Sequence, residues 1–445
     1  MKWFKRLLIA LAALLAIAAA LPFFISLNDY IPRIEQEVSA RLREPVSIKS
    51  ISFAALPLPH VTIDGITIGK TDDITLGRVT LTPDLFSLLQ STRIIKAIKV
   101  DSPVLTRKGI DTIAALVKSE SARAPQQPPP VRIENIDLSN AVVMLDKAKL
   151  GPFDARVRLD NSASAADASV KSQDGKFEVL IKLDNSKYLF DAKAKAWTLP
   201  AGPALVFDEL TIKGVATQND ATLDQISARF YGGTASGKMA INWKEGLRVE
   251  GNLELSKLEL QEVAAMLSPG TRVSGKLDAR PVFSASATTA DQIVKALRME
   301  TPFSIQYGVV HGVDIQKAAT SLIKQRSAGG ETRFEHLSGH LLVEHGSHHF
   351  TKLKIASGAL AADGRVSVSP KKELSGRINA QVKAVGTSAN VPLNVGGTVG
   401  APLLYPTGAA VAGAAVGTVL LGPGFGTSVG AKVGNWAEGI FDRKR

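Results

Sequence analysis

The stretch IPRIEQEVSARLREPVSIKSISFAALPLPHVTIDGITIG, residues 31–69, changes its periodicity once, and that change decides the fold class. In its first third Ile31, Ile34, Val38 and Leu42 recur at spacings of three and four, which places one apolar stripe along a helix. Pro32 suits the first turn of that helix. From Val46 the period becomes two. Val46, Ile48 and Ile51 stand among polar neighbours, and Val61-Thr62-Ile63 and Ile66-Thr67-Ile68 flank Asp64-Gly65, a hairpin-turn signal. Ile74-Thr75-Leu76 and Val79-Thr80-Leu81 repeat the theme around Gly77. Residues 83–90 read as a short helix and 94–105 as one or two further strands.

Period two continues downstream of a Pro-rich stretch, ESARAPQQPPP (120–130), which reads as an extended linker. KFEVLIKL (176–183) and Leu210–Gly214 are examples, with Asp174-Gly175 and Gly232-Gly233 as turns. Helical patterns interrupt at 260–266, 290–297 and 315–324. The fold class expected is mostly β with a few helices, in long, open antiparallel sheets. Strands do not alternate with long helices, which excludes a doubly wound fold. Six segments follow: 1–27, 28–119, the linker 120–130, a central β meander over 131–299, a C-terminal β region over 300–406, and a tail, 407–445.

Upstream, an uncharged apolar run extends from Leu7 to Leu27, with Leu7, Leu11, Leu14, Ile17, Leu21 and Phe24 spaced along it. It has the length of a bilayer-spanning helix. Lys2, Lys5 and Arg6 precede it, an asymmetry that holds the N-terminus in the cytoplasm and sends the rest across. The expectation is a single-pass anchor in the cell inner membrane with the bulk of the chain periplasmic. A cleaved signal peptide ending near Ala18-Ala19-Ala20 is the alternative.

Composition narrows the function. Lys and Arg number 53 against 41 Asp and Glu, a net charge of +12, yet the positive residues are scattered, as in KLDNSKYLFDAKAK (182–195). A nucleic-acid surface needs a clustered basic stripe, so nucleic acid is not an expected partner; anionic lipid headgroups suit diffuse positive charge better. The absence of Cys excludes disulfides, thiol nucleophiles and Cys-ligated metal sites. Six of the seven His lie between His311 and His349. His336 and His340 sit on a strand pattern, about 13 Å apart, too far to share one ion. No GxSxG, HExxH or Walker loop occurs, and Gly396-Gly397 and Gly422–Gly426 lack a following Lys-Ser/Thr. Asp64, Asp314 and Asp363 read as turn residues bonding local backbone. The expectation is therefore no catalytic residue, no cofactor and no metal.

Three stretches together resemble the AsmA family of inner-membrane-anchored periplasmic proteins. The first is the anchor followed by 31–69. The second is YGGTASGKMAINW (231–243) with VSGKLDA (273–279). The third is YGVVHGVDIQK (307–317), TRFEHLSGHLLVEHG (332–346), SGALAADGRVSVS (357–369) and VPLNVGGTVGAPLLYP (391–406). The resemblance implies a chorein-like N-terminal start, an elongated β-groove, and a role in outer-membrane lipid homeostasis through phospholipid passage between the membranes. On that basis membrane phospholipids and the inner and outer membranes are the expected partners, with envelope assembly proteins as further candidates. Ile31, Ile34, Val38 and Leu42 would form a groove-entrance helix.

The tail carries no charge from Ala384 to Ala431, and Gly413 and Gly417, then Gly426, Gly430 and Gly434, are four apart. Small residues at that spacing allow close helix approach in lipid. A membrane contact, a cap on the groove or a loose Gly/Ala tail all satisfy the pattern. For the whole chain, alternation alone fits an open apolar groove or a closed sandwich. Accordingly a lipid-handling protein and an assembly scaffold without lipid carriage are both kept.

Overall fold

The computed structural model describes residues 27–113, 131–145, 148–160, 165–184, 187–200, 204–267, 273–288, 292–320, 329–358, 360–384 and 387–408. The predicted anchor (7–26 of it), the linker and the tail glycines lie outside these residues. Among the described residues no helix is long and apolar enough to cross a membrane. The chain divides into two units, residues 1–202 and 203–445.

The first unit begins with a 3-10 turn (Leu27–Tyr30) and helix α1 (Ile31–Leu42), as the 3.6 period requires. Eleven strands follow: β1 (Val46–Ala54), β2 (His60–Ile68), β3 (Ile74–Pro83), β4 (Arg93–Asp101), β5 (Val104–Thr106), β6 (Val131–Ile133), β7 (Asn135–Leu145), β8 (Ala148–Leu159), β9 (Ala165–Ser172), β10 (Phe177–Asp184) and β11 (Lys187–Thr198). Neighbours pair antiparallel except where β4 and β5 run parallel to β6 and β7. The Pro-rich linker lies in that parallel crossover, and the sheet continues on both sides of it. Residues 107–113 form helix α2. Its Lys108 Nζ lies 2.6 Å from the buried Asp73 carboxylate in the β2–β3 connection, to which Thr71 also donates at 2.8 Å. The Lys108 hydrogen bond, then that of Thr71, holds the Asp73 carboxyl below its usual range.

Asp64-Gly65 is not a hairpin turn. β2 is continuous through it, and β3 through Gly77. Register with both neighbours is constant across the site, but Gly65 adopts φ +63° and the alternation skips a residue. Ile48 and Ile51, and Ile63 and Ile66, consequently all face α1. A side chain at Gly65 would strike Lys49 Cβ at 2.9 Å, so the glycine serves a crease where a turn was expected. Asp64 instead accepts from Arg78 Nε at 2.7 Å.

α1 does two jobs. Its apolar stripe, Ile31, Ile34, Val38 and Leu42, packs on Val46, Ile48 and Ile51. Its polar side and the preceding 3-10 turn cover the open edge of β1: Val46 N–H donates to Ser39 Oγ (3.0 Å), Ile48 N–H to Glu35 Oε1 (2.7 Å) and Ile51 N–H to Asn28 Oδ1 of the turn (2.9 Å). Side chains thus stand in for a neighbouring strand at an edge that would otherwise invite another chain.

The second unit holds β12 (Val206–Ala216), β13 (Asp220–Phe230), β14 (Gly233–Asn242), β15 (Leu247–Glu259), β16 (Val273–Ala279), β17 (Val282–Ala287), β18 (Arg298–His311), β19 (Glu331–Glu344), β20 (Ser347–Ser357), β21 (Leu360–Val368), β22 (Leu374–Ala384), β23 (Thr387–Thr398) and β24 (Ala401–Pro406). β16 and β17 share one place in the sheet, both lying between β15 and β18. Helix α3 (Leu260–Leu267) matches the sequence reading. The helix expected over 290–297 is, in its described part, a single turn in which Gln292 O accepts from Lys295 and Ala296. The helix expected over 315–324 is α4 (Ile315–Thr320), the remainder lying outside the described residues. Ile315, Ala318 and Ala319 of α4 pack on Leu360, Ala380, Val391, Leu393 and Leu404, the driest cluster of the unit.

Glu35→Ala removes the acceptor for Ile48 N–H and is expected to lower stability by about 1–3 kcal/mol. Glu35→Gln, which keeps an acceptor, should retain most of it. Urea denaturation followed by circular dichroism measures both.

Candidate functional site

Same-face side chains meet across strands, so register decides what each face presents. In the first unit one cross-strand row runs Phe53–Val61–Leu81–Ile98–Ile136 and continues Val157–Ala168–Ile181–Phe190. A second row on the same face runs Ile51–Ile63–Val79–Val100–Leu138 and continues Ala155–Val170–Val179–Ala192. No residue in either row is polar. At about 4.8 Å per strand step, nine strands carry an apolar stripe on the order of 40 Å long, more than twice the ~15 Å depth of one bilayer leaflet. The opposite face carries Thr62, Thr80, Lys99, Asp137, Arg156 and Ser169 in the row between them, with Arg156 Nε 2.8 Å from Asp137.

The second unit repeats the device. One row runs Leu258–Leu277–Ile305–Leu337 and on through Ile355–Ala362–Ala380–Val391. Another contains Met239, Gly251, Phe283, Met299, Val343 and His348. Three phenylalanines face a glycine on the adjoining strand, Phe283 on Gly251, Phe303 on Gly339 and Phe334 on Gly308. The missing Cβ makes room for the ring to lie flat along the face.

The stripes are covered only in part. Helix α1 lies over β1 and β2, α4 over β22 to β24, and Leu260 of α3 packs against Ile305, Phe334 and Leu337. Elsewhere many large apolar residues of the same face, such as Ile98, Ile136, Ile181, Leu253, Met299 and Leu353, are only half-buried. A closed sandwich would make such residues its driest.

His348 is the ionisable side chain of its row. Burial on the apolar face, then the neighbouring His349, holds its imidazole below the usual value. His336 and His340 stand on β19 but face other partners: His340 Nε2 lies 3.3 Å from Glu300, and His336 Nε2 3.5 Å from Ser304. Among the described residues no group of three or more His, Asp or Glu is placed to hold a metal. Asp314 accepts from Lys317 N–H at 2.8 Å at the start of α4. Asp363 is mid-strand, like Asp64, and accepts from Asn379 Nδ2 at 3.2 Å. Both mid-strand carboxylates thus correct the turn assignment. Of the predicted site residues, Ile31, Ile34, Val38 and Leu42 are brought together at one end of the first stripe; the anchor residues, Lys2, Lys5, Arg6 and the tail glycines lie outside the described residues. The edge-covering Asn28, Glu35 and Ser39 were missed, although their spacings of seven and four are a helical face.

The AsmA family model matches residues 1–227. This chain belongs to the AsmA family. The match holds the apolar N-terminal run, the 31–69 stretch and both rows of the first unit. The other two stretches of resemblance, from 231 onward, lie beyond it. No curated protein and no solved structure was found to match the chain.

A folded-state pKa below the unfolded value of about 6.5 leaves stability intact at neutral pH and removes it as pH falls through about 6.5 toward the lowered value. Melting temperature should therefore drop between pH 7 and pH 5, and should drop less in His348→Leu. Thermal melts at the two pH values measure the difference.

Proposed function

We propose that this AsmA-family chain is a non-enzymatic envelope protein that carries phospholipid. Its N-terminal run anchors it in the inner membrane, the remainder is periplasmic, and acyl chains lie along the apolar stripes on their way toward the outer membrane. The observation that carries the reading is the unbroken apolar row across nine strands, left half-open. Each methylene shielded from water gains about 0.8 kcal/mol, so a bare acyl chain in the periplasm costs on the order of 10 kcal/mol. A stripe longer than one chain offers that shielding without a step in which the tail is bare. The headgroup needs no pocket, since it stays in water beside the open face. No catalytic step or cofactor is assigned. Envelope assembly proteins are secondary partners in this reading; a scaffold without lipid carriage has no use for an uncovered apolar row.

The test places a photo-reactive phenylalanine analogue at Ile181 or Leu253 on the apolar face and at Ser169 or Asn252 on the polar face, in cells. Adducts of phospholipid mass at the first pair and not the second support lipid carriage. Equal or absent adducts at both reject it. Ile181→Asp adds a second prediction. Its site is half-open, so the charge stays partly hydrated and folding should lose about 1–2 kcal/mol. Lipid adducts at neighbouring row positions should fall severalfold, whereas Ser169→Asp should leave them unchanged.

A further inference from the structure

We propose that the β1–β2 and β3–β4 connections form a second membrane contact, dipping apolar side chains into the bilayer that holds the N-terminal run. The inference rests on the anchor reading but not on lipid carriage.

The first unit has a cluster of large apolar side chains exposed at one end. Leu56 and Leu58, in the β1–β2 connection, are each 64% exposed, and Leu85 and Phe86, in the β3–β4 connection, are 50% and 84% exposed. β1 to β4 are consecutive neighbours in the sheet, so the two connections emerge side by side at the same end. Isolated exposed leucines need no explanation, but a contiguous apolar patch marks an interaction surface.

Both connections are built to hold these side chains outward. Leu56 and Leu58 alternate with Pro57 and Pro59, whose fixed φ limits backbone freedom, and His60 Nδ1 lies 2.8 Å from Leu58 O. In the other connection Phe86 N–H donates to Asp84 Oδ1 at 2.9 Å. Beneath it the fully buried Ser87 donates to Asp84 O at 2.7 Å and accepts from Ile94 N–H at 2.8 Å. Lys96 Nζ closes the set, 3.3 Å from Asp84. Ser87 faces inward, and the phenyl ring and leucine face out.

The occupant follows from where the chain enters. Helix α1 runs antiparallel to β1, with Ser39 at Val46, Glu35 at Ile48 and Asn28 at Ile51. Residue 28 is therefore at the end of β1 that leads into Leu56. Leu27, the last residue of the apolar run in the sequence, packs here beside Asn28, and Tyr30, one turn later, is 56% exposed. An aromatic ring with a polar tip beside an apolar run suits the headgroup layer. Phe53, the first residue of the apolar row described above, is at the same end, so a bilayer seated here would meet the start of the stripe.

The cysteine-free sequence permits single-cysteine variants of the full chain without background: Leu14→Cys, Leu56→Cys, Phe86→Cys and, at the opposite end of the sheet, Lys176→Cys. Each is nitroxide-labelled and reconstituted in vesicles of phosphatidylethanolamine and phosphatidylglycerol. Collision rates with oxygen, which concentrates in lipid, and with an aqueous nickel chelate are then compared. Labels at 56 and 86 are expected to meet nickel severalfold less than the label at 176, and oxygen more. Labels at 56 and 86 matching 176 while 14 reads as lipid would overturn the contact, keep the anchor and leave the patch to a protein. An aqueous reading at 14 would reject the anchor and, with it, the second contact proposed here.

Discussion

Cross-strand register is the constraint on which the rest depends. A β-strand presents alternate residues to opposite faces, so an apolar surface made by many strands exists only while every pair stays in step. In the first unit nine strands hold Phe53 through Phe190 in one row, and eight ladders must agree for that row to exist. From β2 to β8 a slip of one residue would replace an apolar rung by Thr, Lys, Asp or Arg from the facing row. The parallel step between β4 and β7 keeps the rule too, because Ile98 meets Ile136 and Val100 meets Leu138.

A sheet with one half-open apolar face lacks the second layer that normally pays for folding. Its stability rests instead on backbone ladders, same-face packing between adjacent rungs, and helices placed where exposure would do most harm. α1 shields the first strand twice over, burying Val46, Ile48 and Ile51 beneath its apolar stripe and bonding their N–H groups with Ser39, Glu35 and Asn28. At β24, the last strand among the described residues, the edge is short and bears Pro402 and Pro406, which cannot donate to a further ladder. α4 fills the apolar face there with Ile315, Ala318 and Ala319. Alanines at that contact let the helix approach the sheet closely.

The legible parts of this structure were those set by local period. The stripe Ile31, Ile34, Val38, Leu42 specified a helix and its buried side, and alternation found the strands. What local pattern could not supply was the identity of the neighbour. Asp64-Gly65 between two apolar-polar-apolar triplets fits a turn or a mid-strand crease equally well, and only Lys49 and Gly77 at the same level on adjoining strands decide for the crease. Asp363 misled for the same reason, since its Asn379 partner is sixteen residues away. Alternation also left the groove and the sandwich unseparated, because it states that one face is apolar without stating what covers it. Asn28, Glu35 and Ser39 were readable as a polar helical face but not as surrogates for a strand.

A row assembled one rung per strand treats folding and passage differently. For folding, each rung is a local term: a poor residue at Ala168 or Ile181 weakens two cross-strand contacts, and the loss is on the order of 1 kcal/mol against the many remaining. For an acyl chain carried as proposed, the rungs would act in series, and the least favourable one would set the barrier. The rows mix sizes freely, from Ala and Gly to Phe and Met, and the proposed carriage requires only that they stay apolar. Bulk at a rung alters local packing, which half-open neighbours absorb, whereas charge at a rung interrupts the apolar line of its row. His348 fits the same rule, because burial on the apolar face, then the neighbouring His349, lowers its pKa and so disfavours the charged ring.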